Sequence, residues 1–192
     1  LNLLAGAAYT RHDVDTTRTA NVAGTSQRLT ADYQANTTQL FTELGYAMAL
    51  SERASIEPFA GLAWSNLRTP GFSESGGSAA LSRQRDSDTQ TSTTLGLRAQ
   101  TGFSLAQAEG QLRATLGWRH AFGEVVPQTT MAFEGGQNFT VAGAPLARNT
   151  MLAELGVDMA IARNATVGLN YSGQYGDGSR EHAGSVNLRW RY

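Results

Sequence analysis

Apolar and polar side chains alternate along stretch after stretch of this chain, and a period of two confines those stretches to β-strands. The last ten residues show it most cleanly. Gly184, Val186, Leu188, Trp190 and Tyr192 fall on one face, and Ala183, Ser185, Asn187, Arg189 and Arg191 fall on the other. The same alternation recurs over Leu1–Tyr9, Leu40–Leu50, Ile56–Trp64, Thr93–Phe103, Leu112–Trp118, Met151–Ile161 and Val167–Tyr175, which makes eight strands. Helix-period stripes are hard to find. The spacing predicts an all-β protein, an antiparallel up-and-down sheet in which each strand has two unlike faces.

The connections alternate in length. Short ones fall near Ser51–Ala54, Ala106–Glu109 and Arg163–Asn164, and long Gly/Ser/Thr-rich ones at about Thr16–Gln27, Pro70–Ala80 and Gly123–Ala147. The link around Gly176–Arg180 is brief but lies with the long set, and Gly176-Asp177-Gly178 within it is a tight-turn signal. Tight turns at one end and long loops at the other are the habit of transmembrane barrels. No run approaches the ~18 apolar residues of a spanning helix, but a barrel strand needs only about ten, half of them facing lipid. A soluble antiparallel barrel alternates too, with its apolar face turned inward.

The charges bear on that choice. Glu43, Glu57, Arg98, Arg113, Arg119, Glu154, Asp158, Arg189 and Arg191 sit in strand-like stretches on the less apolar face. In a membrane barrel this face becomes a hydrated lumen of mixed sign. The opposite face would then carry aromatic girdles at its two interfaces, formed by Trp64, Trp118, Tyr175, Trp190 and Tyr192. A chain of 192 residues is long enough for one domain, and with no cysteine it has no disulfides or thiolate metal sites. All 15 basic residues are arginine, and a net charge of −1 gives no reason to expect nucleic acid as a partner. Residue Leu1 already lies in a strand pattern with no signal peptide before it, so residues 1–192 are expected to be one domain lacking its N-terminal part.

Several segments match a known family. They are Phe41-Thr42-Glu43-Leu44-Gly45-Tyr46, Ile56-Glu57-Pro58-Phe59-Ala60-Gly61-Leu62, Gly71-Phe72-Ser73-Glu74 and Thr94-Leu95-Gly96-Leu97-Arg98. Further on come Gly117-Trp118-Arg119-His120-Ala121-Phe122-Gly123, Phe139-Thr140-Val141-Ala142-Gly143-Ala144-Pro145 and Tyr171-Ser172-Gly173-Gln174-Tyr175-Gly176, and then the terminal aromatic. In order and spacing the chain resembles the C-terminal translocator β-barrel of autotransporters, the type V secretion proteins of Gram-negative outer membranes. The resemblance implies a twelve-stranded barrel with a helix threading its lumen and a secreted passenger upstream. The eight strands here look similar to the last eight, so the helix and the first four strands would be missing. An eight-stranded barrel is only wide enough for side chains, and a working pore would need the absent strands.

The same resemblance implies a position in the outer membrane, with both termini periplasmic and lipid and the protein's own passenger as partners. It also implies that the barrel assembly machinery reads the last strand through Val186, Leu188, Trp190 and Tyr192, physically by strand addition with pockets for alternate side chains. The charged residues then either line a hydrated path or pair to brace the wall.

Signals for an enzyme are poor. Gly71-Phe72-Ser73-Glu74-Ser75 resembles a nucleophile elbow but ends in Ser where glycine is required. His12, His120 and His182 are isolated in sequence, so neither metal nor cofactor is expected. Two alternatives to the autotransporter remain: an outer-membrane hydrolase acting on lipids and a pore without a passenger. The first needs a serine beside His120 on the lipid-side face.

Overall fold

A computed structural model describes residues 1–105 and 108–191. Its strands are β1 (Asn2–Val22), β2 (Thr25–Gly45), β3 (Met48–Ala49), β4 (Ala54–Thr69), β5 (Phe72–Ser73), β6 (Leu81–Arg83) and β7 (Asp86–Leu105). They continue with β8 (Ala108–Phe122), β9 (Gln128–Phe133), β10 (Asn138–Ala142), β11 (Asn149–Ala162), β12 (Ala165–Gly176) and β13 (Ser179–Trp190). The eight long strands form one antiparallel meander, β1-β2-β4-β7-β8-β11-β12-β13, and each carries most of one alternating stretch of the sequence; Leu40–Leu50 runs on from β2 into β3. Among the described residues β1 and β13 do not pair, so the sheet has two open edges.

The long strand pairings hold the period of two across the sheet. Glu57 lies opposite Arg98, Arg98 opposite Thr115, Thr115 opposite Glu154, and Glu154 opposite Ser172. Directly opposed residues share a face, so the polar positions of these five strands stay together. The one gap in the β2 ladder has a local cause. Tyr46 donates its N–H to the Pro58 carbonyl at 3.0 Å, but proline has no N–H to return. The ladder resumes in β3 without losing register: Gly45 is opposite Phe59, and Met48 is opposite Ile56.

Three of the expected long loops are structured. The Thr16–Gln27 stretch is strand almost throughout. β1 and β2 pair without a break from Asn2/Gly45 to Val22/Thr25, and the chain reverses at Ala23 (φ 49°) and Gly24 (φ 82°). Two successive positive φ angles suit the right-handed twist of a hairpin, and Gly24 adopts its angle without steric cost. Asp13, Asp15 and Arg18 hid this strand because they break the apolar stripe. The other two loops contain β5, β9 and β10, and with β6, which follows directly on Ala80, these make a small sheet in the order β10-β9-β6-β5. Hydrogen bonds between Thr30 and Ser75, both at 2.9 Å, join this sheet to β2.

The upper half of β2 lies beyond the reach of β4, which pairs with β2 only from Asn36 onward. The 70–83 segment covers it instead. Phe72 stacks flat on Tyr33 with ring centroids 4.4 Å apart. Leu29, Ala31, Ala35 and Ala79 are buried, with Leu29 fully so. Much of the protein's buried apolar matter is thus in a small cap at the long-loop end, while the main sheet leaves its apolar face bare.

Candidate functional site

The charged face is concave. A single cavity of about 650 Å³ is lined by Asn2 of one edge strand, by Glu57, Arg98, Arg113 and Glu154, and by Ser185 of the other edge strand. A flat sheet could not bring its two edges to one cavity. Glu43, Arg98, Arg113, Arg119, Glu154, Asp158 and Arg189 all fall on this face by strand register. Arg191 lies one residue past β13, where its N–H donates to the Asn164 carbonyl at 2.9 Å.

Most of these side chains meet partners two or more strands away in sequence. Arg98 is the hub. Its Nη1 is 2.7 Å from Glu43 Oε1, its Nη2 donates to Glu43 Oε2 at 2.9 Å, and Nη1 also donates to Glu57 Oε1 at 3.2 Å. Asn2 donates to the other Glu57 oxygen at 3.0 Å. The guanidinium lies 3.9 Å above the Phe59 ring, within cation–π range. Phe59 in turn fits over Gly96, where a Cβ would stand 2.4 Å from the ring. The glycine is needed for that close approach. Elsewhere Arg113 donates to Asp158 at 2.5 Å, and Arg119 donates to Gln174 at 2.8 Å. Among the described residues, Glu154 and Arg189 are in no ion pair.

The other face is apolar and bare. Leu40, Leu44, Leu62, Leu95, Leu116, Met151, Leu155, Ile161, Leu169 and Val186 are exposed on it, Leu116 to 60 % and Val186 to 74 %. So many large apolar groups on one continuous surface exceed what a water-facing sheet tolerates. Trp64, Trp118, Tyr175 and Trp190 share this face: the first three toward the long-loop end, Trp190 at the short-turn end opposite Ala165. Val186, Leu188 and Trp190 project from β13, whose second edge is unpaired among the described residues. Tyr192 lies outside the described residues.

The histidines have found other partners than serine. His120 bonds Asn149 at 2.8 Å between the rings of Trp118 and Phe122, His12 bonds Thr37 at 2.9 Å, and His182 bonds Tyr171 at 2.7 Å. A lipid hydrolase built on His120 would need a serine where Asn149 sits.

One ion pair escaped the sequence reading. Arg18, in the distal part of β1, grips Glu74 of the 70–83 segment. Nε donates to Oε1 at 2.8 Å and Nη2 to Oε2 at 2.6 Å, and Nη2 also reaches the Ala79 carbonyl at 2.5 Å. The Glu74 side chain is only 7 % exposed and also accepts from the Leu81 N–H at 2.8 Å. The hydrogen bond from Arg18 holds the Glu74 carboxyl below its usual range, against the opposing effect of burial. Only the match of Gly71-Phe72-Ser73-Glu74 to the family marked this residue out; its partner lies 56 residues away.

A curled antiparallel sheet with a charged inside, a bare apolar outside and unequal ends is the wall of a membrane β-barrel. The family model described as the autotransporter beta-domain matches residues 1–172, and the chain belongs to that family. It is an outer-membrane translocator domain. Two extracellular serine proteases of Serratia marcescens are 37 % and 36 % identical to it, each over the whole of this chain. The alignment covers 18 % of each relative, so the chain spans about a fifth of the length of the curated relatives it matches.

Proposed function

We propose that this domain anchors a passenger in the outer membrane and assists its passage to the cell surface. The two-faced sheet carries the reading. Its apolar face suits lipid, while on the concave face Glu154, in no ion pair among the described residues, lines a cavity that a polar segment could enter. Catalysis would reside in the passenger: the Serratia marcescens relatives are extracellular serine proteases, and this domain corresponds to about a fifth of their length. The long-loop end would face outward and the short turns, with both termini, the periplasm. In this reading residues 1–192 are one domain, and strands from elsewhere in the polypeptide pair with the open edges of β1 and β13 to complete a twelve-stranded wall. The assembly machinery engages β13 through Val186, Leu188, Trp190 and Tyr192. Glu43, Arg98, Arg113, Arg119, Glu154, Asp158, Arg189 and Arg191 line or brace the hydrated lumen, and Trp64, Trp118, Tyr175, Trp190 and Tyr192 mark the membrane interfaces.

Protease shaving of intact cells tests it. Cells carrying the full-length protein should present a passenger that external protease digests, and cells whose copy lacks residues 1–192 should keep it protected in the periplasm. Equal digestion in both would overturn the proposal.

A further inference from the structure

Near the turn between β12 and β13 the apolar face carries a polar cluster that the export function does not use. The Tyr171 hydroxyl is 2.7 Å from the Tyr175 hydroxyl and 2.7 Å from His182 Nδ1. The Tyr175 and His182 rings meet edge-on at 5.2 Å. Gly173 makes room for this. A Cβ there would stand 2.9 Å from both hydroxyl oxygens, so the arrangement depends on the residue between the two tyrosines. Arg180 lies directly opposite Tyr175 on the same face and is in no ion pair among the described residues. The nearby carboxylates are Asp177 in the turn and Glu181, which falls on the opposite, charged face opposite Gln174.

The three-group chain has a definite polarity. If Tyr171 donates to His182 Nδ1, then Tyr175 donates to Tyr171, and His182 Nε2–H is left over as a donor. If His182 Nδ1–H donates to Tyr171, then Tyr171 donates to Tyr175, and the Tyr175 O–H is left over. Either way one donor is left over in the cluster, on the face that also carries Arg180 opposite Tyr175, a surface otherwise made for hydrocarbon. A polar group there is costly unless an acceptor meets it. The acceptor that lies in that plane of a bilayer is a headgroup phosphate.

We propose that Tyr171, Tyr175, Arg180 and His182 form a binding site for the phosphate of an anionic lipid headgroup in the leaflet at the long-loop end. The assignment rests on the reading of the apolar face as lipid-facing. One cation near a membrane surface favours an anionic lipid by about fivefold.

The full-length protein is folded into vesicles of phosphatidylcholine containing either brominated phosphatidic acid or brominated phosphatidylcholine, and tryptophan quenching gives the relative affinity of its annulus for the two. Quenching about fivefold stronger for phosphatidic acid is expected, falling to equality in R180Q/H182Q with folding verified by heat-modifiable gel mobility. Equal quenching by the two lipids in the unaltered protein overturns the site without recourse to any variant. So does a preference that the double variant retains, or one that persists in G173A, where the tyrosines are forced apart. Loss of the preference when inorganic phosphate is added at the ionic strength of a chloride control would assign the cluster to free phosphate and overturn the lipid assignment. No quenching by either lipid would instead overturn the lipid-facing reading itself.

Discussion

Single residues here act chiefly through partners that are far off in sequence. Arg98 satisfies two carboxylates and a ring face at once, so its loss would leave Glu43 and Glu57 facing one another. Arg18 and Glu74 are the corresponding pair in the cap, where burial makes the missing partner more costly. Replacing Glu74 with Gln is expected to loosen the cap by about 1.5–3 kcal/mol, the value of hydrogen bonds to a charged group. The pH dependence has a fixed sign. A carboxyl held below its unfolded value contributes stability that is present above that value, about 4.3 for Glu. That stability is lost as pH falls through the lower folded value. Protection factors of the amides in β5, β6 and distal β2, taken against the intrinsic exchange rate at each pH, should therefore fall on acidification in the unaltered protein and show little further acid dependence in E74Q. Equal acid dependence in both proteins would remove the role assigned to the pair. Glu43 and Arg98 were legible as members of one face because each lies in an alternating stretch. Arg18 was not, because the Asp and Arg residues of its stretch conceal the strand it belongs to.

At the scale of elements, β13 and the long-loop segments answer to different demands. Among the described residues β13 is paired on one edge only, and it presents Val186, Leu188 and Trp190 to the outside, so it is suited to recognition by strand addition. Replacing Tyr192 with Ala, or deleting the last strand, should lower the folded fraction in outer-membrane fractions far more than replacing Ser73 with Ala in the Pro70–Ala80 segment. Heat-modifiable gel mobility reads the difference, and equal assembly would sink the recognition role. The eight long strands could be read from the sequence because alternation is a local property. The strands β5, β6, β9 and β10 could not. Runs of two to six residues are too short to show a period, and Gly76 and Gly77 among Ser and Ala read as loop. These pieces become strands by pairing with one another and with Thr30 of β2.

For the whole molecule the decisive feature is curvature without closure. The charged face wraps one cavity, yet β1 and β13 each keep an edge unpaired among the described residues. Long open edges invite pairing with other chains. Residues 1–192 expressed alone are therefore expected to enter vesicles as associated species without a heat-modifiable monomer band. The same residues within the full-length protein should give that band. A compact, heat-modifiable monomer from the isolated segment would show that the sheet closes on itself.

The sequence by itself determined the strand class, the number of long strands, the assignment of charged and apolar residues to opposite faces, and the asymmetry between the two ends. All of these are set by period-two alternation and by Gly/Pro punctuation, which act over a few residues. Tertiary structure alone decided that the charged face is the inner one, that Arg98 joins Glu43 to Glu57, and that Arg18 closes a cap on Glu74. It also decided that Tyr171, Tyr175 and His182 meet above Gly173. Those outcomes depend on strand register, twist and curl, which bring together residues 41, 55 and 56 positions apart, and no local pattern encodes contacts of that range.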